Sequence, residues 1–278
     1  MANAKQSTAG HPLLHALIDP TTPIEVLALL VANDEFPGLS ITAWREKLDF
    51  LAGPLLDGSL GRKDPAQQAD ALRRRVYEEL GFKGNDREYY DPRNSYLNEV
   101  VDRRTGIPIT LAIVLMAIGR RAGVQVDGIG FPGHFLARIG GEDGVYVDPF
   151  FEGRIVGEDA LARLAEKFLG SASRLVPEHL HVVTPRSILV RMLVNLKHAH
   201  ERHGDHARAL LVSDRLVDVT ASATFRRDRG LHALALGAKA AAIEDLEAYL
   251  GEAQNAPDEL AVRRALARAK AGASAGLS

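Results

Sequence analysis

The hydrophobic positions of the first eighty residues recur at the spacing of α-helices. The segment "PIEVLALLVANDEF" is one such stretch, with a proline in the first turn, where helices tolerate it. A second, "ITAWREKLDFLAGPLL", follows the N-cap residue Ser40 and is expected to bury Trp44 with Leu48 and Leu51. A third, "DPAQQADALRRRVYEELGF", is expected to end at Gly81. The pattern predicts a helical N-terminal part.

The pattern changes in the middle of the chain. After the turn-rich "NDREYYDPRNSYLN", an almost wholly apolar stretch predicts a helix over Ile107–Ala122, ended by Gly123. Three strand-like pieces follow, "VQVDGIGF", "HFLARIG" and "GVYVDPFF", and "GEDG" between the last two is a hairpin signal. Helices followed by a small antiparallel sheet indicate an α+β fold.

From Thr184 onward the pattern is helical and repeats itself. Two segments align at an offset of 33 residues, with Gly204 over Gly237 and Ala209 over Ala242. A glycine followed five residues later by a small residue is typical of a helix-turn-helix repeat, and the period resembles that of tetratricopeptide repeats. The segment "PDELAVRRALARAKA" would close the array. This part is predicted to be an all-α, tetratricopeptide-like module.

The pattern predicts four regions along the chain. Residues 1–12 and 269–278 are small and polar, and we expect a flexible N-terminus and a flexible tail there. Between them, residues 13–183 are expected to form the α+β domain, and residues 184–268 the helical repeats.

Composition narrows the possible functions. The chain has 278 residues, a formal net charge of −2 and no cysteine. The near-neutral charge predicts neither nucleic acid nor a membrane surface as partner, and the missing cysteine excludes disulfides and thiolate sites. The start, "MANAKQSTAGHP", does not resemble a signal peptide, and the longest apolar run, Ile109–Ile118, is half of a membrane span. We expect a cytoplasmic protein without a cofactor; the oligomeric state stays open.

The middle segment carries the pattern of an active site. In such a site a nucleophile at a helix start is combined with a histidine base, which an aspartate orients. His134 follows "FPG" at the expected start of a strand, and Asp148 lies across the predicted hairpin. Adjacent antiparallel strands can place these two side chains together. The nucleophile would be expected in "GIPITLA".

These segments also resemble a known family. The stretch "YYDPRNSYLNEVVDRRTGIPITLAIVLMAIGRRAGVQVDGIGFPGHFLARI", followed by "VDPFFEGRIV", resembles the transglutaminase-like domain of the bacterial SirB-type family. Members of that family typically carry tetratricopeptide repeats behind the domain. The resemblance implies a papain-like transglutaminase core, in which active relatives use cysteine, histidine and aspartate. With Gly106 and Ala112 aligned, the cysteine position falls on Pro108, whereas His134 and Asp148 match the histidine and the aspartate.

Three interpretations of this site remain open. Thr110 could replace the thiol, but it lies about 200° around the helix from Pro108, and its hydroxyl is a weaker nucleophile that also suits a local backbone bond. His134 could instead activate water. The pair of His134 and Asp148 could also be purely structural.

Further polar residues are candidates for the same cleft. Asn98, Arg104 and Thr110 could line it, whereas Asp91 and Asn94 are expected to cap turns. The histidine-rich "KHAHERHGDH" is expected to be a solvated helix end, so no metal site is predicted.

The leading hypothesis is a non-catalytic protein that recognises a polypeptide. The degenerate cleft at His134 and Asp148 would hold the partner chain, the concave face of the repeats would add a second surface, and a regulatory role fits this hypothesis. One alternative is an amide or ester hydrolase that uses His134 and Asp148 without a cysteine. Another is an adaptor that acts through its repeats alone.

Overall fold

The computed structural model describes residues 11–170 and 174–274. The chain divides into two compact units, one over His11–Met192 and one that contains the described residues from Leu193 onward. Most of the predicted flexible N-terminus, residues 1–10, lies outside the described residues. Of the remaining two residues, His11 is the N-cap of a helix and Pro12 is its first residue, so neither is a flexible end.

The first unit contains the predicted N-terminal helices. Its helices are α1 (Pro12–Ile18), α2 (Ile24–Glu35), α3 (Ile41–Ala52), α4 (Pro65–Arg73), α5 (Leu97–Arg103), α6 (Pro108–Arg121) and α7 (Glu158–Leu169). The hydroxyl of Ser40 accepts a hydrogen bond from the backbone N–H of Ala43, which confirms the predicted N-cap of α3. Helix α4 runs on as a π-helical turn, Arg74–Glu79, and Gly81 follows in the left-handed region.

The prediction for Trp44 is wrong in one respect. Leu48 and Leu51 are buried, but Trp44 is only half-buried, and the ammonium group of Lys47 lies 4.5 Å from the centre of its ring. Spacings of four and seven residues place Trp44 on the same face of α3 as Leu48 and Leu51. It lies in the first turn of the helix, however, where its indole meets both solvent and a cation.

The strands of the first unit form two sheets. The larger is antiparallel with the order β3 (Val126–Ile129), β4 (Leu136–Ile139), β5 (Val145–Asp148) and β6 (Arg154–Ile155). The smaller is a parallel pair, β1 (Lys83–Gly84) and β2 (Thr105–Gly106). The three predicted strands and the α+β class are confirmed. Strands β1, β2 and β6 have two residues each, too few for a visible alternation of apolar and polar positions.

Helix α6 forms the centre of this unit. Eleven of its fourteen residues are buried, and it packs against α3, α5 and strands β3 and β4. Pro108 takes the first helical position after the N-cap Ile107, where its missing N–H costs nothing. Gly119 lies so close to β3 that a Cβ atom there would be 2.4 Å from a methyl group of Val126. The predicted range of this helix, Ile107–Ala122, is correct to within one residue at each end.

The remaining helices make up the predicted all-α part of the chain. They are α8 (Pro185–Arg202), α9 (His206–Thr220), α10 (Ala223–Ala235), α11 (Lys239–Glu252) and α12 (Glu259–Ser274). Gly204 and Gly237 both adopt positive φ, at 68° and 77°, in the turns before α9 and α11. The aligned Ala209 and Ala242 are fully buried. This matches the predicted repeat.

The predicted tail is too long. Residues 269–274 continue helix α12, and Ala269 is fully buried, because its methyl group falls on the apolar face of that helix. Among the helices that the structure describes, none combines the length and the apolar character needed to cross a membrane.

Candidate functional site

The hairpin brings His134 and Asp148 together. The imidazole Nε2 of His134 lies 3.0 Å from Oδ2 of Asp148, and the two side chains are 7% and 0% exposed. Asp148 is the last residue of β5, whereas His134 stands in the bend before β4, which begins at Leu136. The histidine therefore precedes the strand that it was predicted to open.

The carboxylate of Asp148 also shapes the turn that follows it. Oδ1 accepts hydrogen bonds from the backbone N–H of Phe150, at 3.0 Å, and of Phe151, at 3.4 Å. The carbonyl oxygen of Asp148 accepts a further bond from the N–H of Gly153 at 2.9 Å. One buried carboxylate thus connects the histidine to the turn between β5 and β6.

Two residues absent from the sequence predictions fix the histidine. The ring of Phe168 is stacked on the imidazole of His134, with centroids 5.6 Å apart and 10° between the planes. The guanidinium of Arg191 donates hydrogen bonds to the carbonyl oxygens of Phe131, at 3.1 Å, and of His134. Within the described residues, Nδ1 of His134 has no hydrogen-bond partner. No short motif marks Phe168 or Arg191, because each comes from a helix far away in sequence.

The start of α6 offers no nucleophile. Pro108 occupies the position that the resemblance gives to the thiol, and it is buried. The hydroxyl of Thr110, fully buried, donates to the carbonyl of Asn94 at 2.8 Å and accepts from the N–H of Ile107 at 3.1 Å. The bond from Ile107 is of the local kind predicted for Thr110, whereas the bond to Asn94 spans sixteen residues. Gly106 is required beside it, because a Cβ there would lie 2.7 Å from the hydroxyl oxygen.

Asn98 and Arg104 carry polar atoms without partners. Asn98 is 6% exposed, and its Oδ1 accepts no hydrogen bond from any described residue. Arg104 ends α5 in the left-handed region, at φ 55°, with its guanidinium 4.8 Å from the centre of the Phe82 ring. Burial lowers the pKa of Arg104, and its Nη1 has no acceptor among the described residues. Among the described residues, no hydrogen bond or ion pair joins either side chain to His134, so their place in a cleft stays a prediction.

Of the two residues predicted to cap turns, Asp91 does so and Asn94 does not. Asp91 accepts the N–H of Arg93 at 2.9 Å and begins a short 3-10 turn, as expected. Asn94 is fully buried and caps no helix; its amide donates to the carbonyl of Glu88 at 2.7 Å and so closes the preceding loop. Its position at the end of the turn, rather than its start, gives it this role.

An open cleft lies beyond the turn that Asp148 shapes. It has a volume of about 690 Å³. Its lining comes from the end of α4, from β1 and from the turn and strand after Asp148: Arg73, Lys83, Gly84, Asp86, Phe150, Phe151, Glu152, Arg154 and Ile155. Sequence reasoning missed this cleft, although the two aromatic residues in "VDPFFEGRIV" are a usable signal, since exposed aromatic pairs often mark binding surfaces.

The histidine-rich end of α8 was predicted to be a solvated helix end, but part of it is buried. His200 is buried, and Nδ1 of His206 lies 3.3 Å from Nδ1 of His232 on α10, whose Nε2 lies 3.1 Å from a carboxylate oxygen of Glu201. His206 and His232 meet because α9 packs against α10. No set of three or more possible metal ligands occurs among the described residues.

Comparison with known families agrees with this architecture. Residues 42–194 match the profile of the transglutaminase-like superfamily, and residues 196–268 match a tetratricopeptide repeat profile. The two matches define the class: a transglutaminase-like domain followed by a helical repeat module.

Comparison with individual proteins identifies the family. The chain is 38% identical over 241 residues to a UPF0162 protein of Xylella fastidiosa, covering 84% of each chain. It is 32% identical over 198 residues to a UPF0162 protein of Vibrio cholerae, covering 70% of this chain and 73% of that one. The chain therefore belongs to the SirB-type family of transglutaminase-like proteins, UPF0162.

A more distant relative comes from animals. Human F-box only protein 21 is 32% identical over 157 residues, which cover 54% of this chain and 24% of that protein. No solved structure matches the chain significantly.

Proposed function

We propose that this chain is a non-catalytic cytoplasmic protein with a regulatory role that recognises a polypeptide through its transglutaminase-like domain and its repeats. One observation carries the proposal: the thiol position holds Pro108, buried at the start of α6. Proline has no group that can attack a carbonyl. The hydroxyl of Thr110, two residues further along α6, is already engaged by the backbone.

The surroundings of the retained pair support a structural role. A general base must reach the proton that it abstracts. His134 is covered by Phe168 on one face and bonded to Asp148 at Nε2. Repeat modules such as α8–α12 commonly serve as protein-binding surfaces, which gives the second half of the proposal its support.

One observation favours a second candidate, an amide or ester hydrolase. Nδ1 of His134 has no partner among the described residues, and the aspartate is on the opposite nitrogen, as in a base that activates water.

Measuring substrate turnover distinguishes the non-catalytic binding protein from the hydrolase. The full-length protein would be incubated with p-nitrophenyl acetate and with a glutamine peptide plus a fluorescent amine, which report ester hydrolysis and transamidation. We expect rates equal to those of His134→Ala in both assays. Turnover that His134→Ala abolishes would establish the hydrolase.

Capture from the native cell tests recognition itself. Wild type, His134→Ala and a repeat variant, Leu231→Glu, would be compared; Leu231 is 36% exposed on α10. We expect wild type to retain specific polypeptides that at least one variant loses. Loss only in Leu231→Glu would indicate an adaptor that acts through its repeats. Equal recovery by all three would contradict the proposal.

A further inference from the structure

The larger sheet ends in a strand whose outer side is open. Within the described residues no strand pairs with the outer side of β6. The N–H of Val156 bonds to the carbonyl of Tyr146 at 2.8 Å, and the next facing pair is Val147 and Ile155. Hydrogen-bonded and non-bonded pairs alternate along antiparallel strands, so the N–H and C=O of Ile155 point away from β5. An extended polypeptide can add to such an edge.

Apolar side chains stand beside this edge. Phe151 is 43% and Ile155 is 55% exposed, and the rings of Phe150 and Phe151 meet edge to face at 5.3 Å. Gly84 lets β1 approach the turn, since a Cβ there would lie 2.6 Å from the carbonyl oxygen of Phe150. The aromatic surface continues to Tyr89, whose ring is 6.0 Å from that of Phe150. The cleft therefore offers anchoring positions for apolar side chains of a bound chain.

Four exposed charges surround the apolar floor. Lys83 and Arg154 are cationic, Asp86 and Glu152 are anionic, and none of them forms an ion pair with another described residue. Arg154 lies 4.6 Å from the centre of the Phe151 ring. A polyanion such as a nucleic acid would be repelled by half of these charges. A polypeptide with charged groups of both signs would satisfy all four.

The buried pair holds this cleft in shape. Oδ1 of Asp148 fixes the amides of Phe150 and Phe151, and Oδ2 is held by His134. We propose that the open cleft binds an extended peptide segment with an apolar side chain between residues of opposite charge, added along β6, and that His134 and Asp148 are positioning residues for its aromatic wall. This inference rests on the proposed function, because it names the site and the ligand class of that recognition.

Labelled peptides test the ligand class on the full-length protein. The probes are fluorescein-labelled nonapeptides with leucine at alternate positions and, between them, glutamate and lysine together, glutamate alone or lysine alone; ten-residue oligothymidylate is the nucleic-acid probe. By fluorescence anisotropy we expect the mixed-charge peptide to bind about tenfold more tightly than either single-sign peptide, a difference typical of two satisfied charge pairs. Tighter binding of oligothymidylate than of any peptide would overturn the proposal.

Matched variants test the location. Ile155→Asp and Phe151→Ala should each weaken the mixed peptide about tenfold, as expected for loss of an anchor. The controls Ile18→Asp and Phe50→Ala change residues of the same types on α1 and α3 that are still more exposed, at 79% and 80%, and should have no effect. Ile155→Pro should weaken binding several-fold more than Ile155→Ala, because it also removes the outward N–H, and edge strands tolerate proline.

Conservative replacement tests the positioning role. Asparagine at position 148 keeps an oxygen for the amides of Phe150 and Phe151 and a group that can bond to His134. Asp148→Asn should therefore bind the mixed peptide within about twofold of wild type, whereas Asp148→Ala should bind it at least fivefold more weakly, since the turn loses its acceptor. Circular dichroism verifies folding, and if Asp148→Ala does not fold, the Ile155 and Phe151 variants still decide.

The outcomes distinguish this inference from the proposed function. If wild type binds the mixed peptide and the cleft variants bind it equally well, the cleft assignment is overturned while polypeptide recognition stands. If wild type binds no peptide, the ligand class is overturned, and capture from the cell then judges the proposed function separately. A folded Asp148→Ala with wild-type affinity would overturn the positioning role.

Discussion

The interior around helix α6 and the interior of the helical module contain different kinds of side chains. In α6 the buried residues are nearly all aliphatic, and the one buried hydroxyl is satisfied by the backbone. In the module, buried and half-buried charges connect the helices: Lys197 on α8 with Asp228 on α10, and the half-buried Arg229 on α10 with the buried Asp245 on α11. Aliphatic packing is non-directional, whereas paired charges specify which helix faces meet.

This difference predicts that the two interiors respond to different substitutions. The module gains register from its ion pairs but depends on each pair being complete, because an unpaired buried charge is costly. The α6 core is sensitive to lost volume instead. Four predictions, from the largest expected effect to the smallest, test this comparison.

Leu111→Ala should have the largest effect. Leu111 is fully buried in α6, and removing its side chain leaves a cavity that costs about 3 kcal/mol in the free energy of unfolding. Urea denaturation followed by the fluorescence of Trp44, the single tryptophan, measures the change in this unit. The control Leu56→Ala, where the leucine is 51% exposed, should stay within about 0.5 kcal/mol. A similar small effect for Leu111→Ala would show that α6 is not the core.

Arg229→Met should destabilise the module by a similar or slightly smaller amount. The guanidinium makes two bonds to Asp245, at 2.7 and 2.8 Å, and one to Asp214 at 2.6 Å, and these bonds raise its pKa. Its removal leaves Asp245, 5% exposed, without this partner and should cost about 3 kcal/mol. The loss of stability can be measured by the hydrogen exchange of the backbone amides of α10 and α11.

An exposed pair serves as the control for the buried one. Arg263 is 60% exposed and pairs with Glu259 four residues earlier on α12. Arg263→Met should change the protection of the module by no more than about 0.5 kcal/mol. If the two substitutions have equal effects, burial of the charges does not distinguish this interior.

Gly230→Ala tests how closely the helices approach. A Cβ at Gly230 would lie 2.9 Å from Cβ of Asp245 and 3.1 Å from Leu246, so α10 and α11 would have to separate. We expect a loss of about 2 kcal/mol. Gly251 is on α11, and no atom lies within 4 Å of a Cβ added there, so Gly251→Ala should instead stabilise the helix by up to about 1 kcal/mol. Thermal denaturation of the two variants should move in opposite directions.

Long elements were predictable from the sequence because their patterns are long. Helix α6 has a continuous apolar pattern that begins with a proline and ends before a glycine. The helical repeat is recognisable because its glycine and alanine positions occur in two aligned copies. The hairpin also made the adjacency of His134 and Asp148 predictable, and the structure places them 3.0 Å apart. Their functional role stays a prediction, because residue types and spacing do not show what covers a pair.

The open cleft could not be predicted in the same way. Its walls come from Arg73, from β1 and from the turn after Asp148, and residues so far apart in sequence share no period. Strand β6 has only two residues, and its open edge depends on which strands pair elsewhere. The stacking of Phe168 on His134 likewise depends on where α7 packs. Such sites depend on tertiary packing, which a local pattern does not record.

The smallest predicted effect concerns the pH dependence of the module. Burial alone would raise the pKa of Glu201, but hydrogen bonds from His232 and Lys197 outweigh it and lower the pKa to about 2. A carboxylate whose pKa is lower in the folded than in the unfolded state stabilises the fold above its unfolded pKa, 4.5 for this group. That contribution is lost as the pH falls from 4.5 toward 2. Since the side chain is 31% exposed, solvent screening limits it to about 1 kcal/mol.

Glu201→Gln isolates this contribution. The stability difference between wild type and Glu201→Gln, from thermal denaturation, should favour wild type at pH 6 and shrink steadily from pH 4.5 to pH 2.5. In a His232→Leu background the same difference should be smaller at pH 6, because one of the two donors that hold the carboxylate is gone. A difference that stays constant with pH would mean that this carboxylate is not stabilised by its partners. The module's sensitivity to incomplete charge pairs would then rest on Arg229 alone.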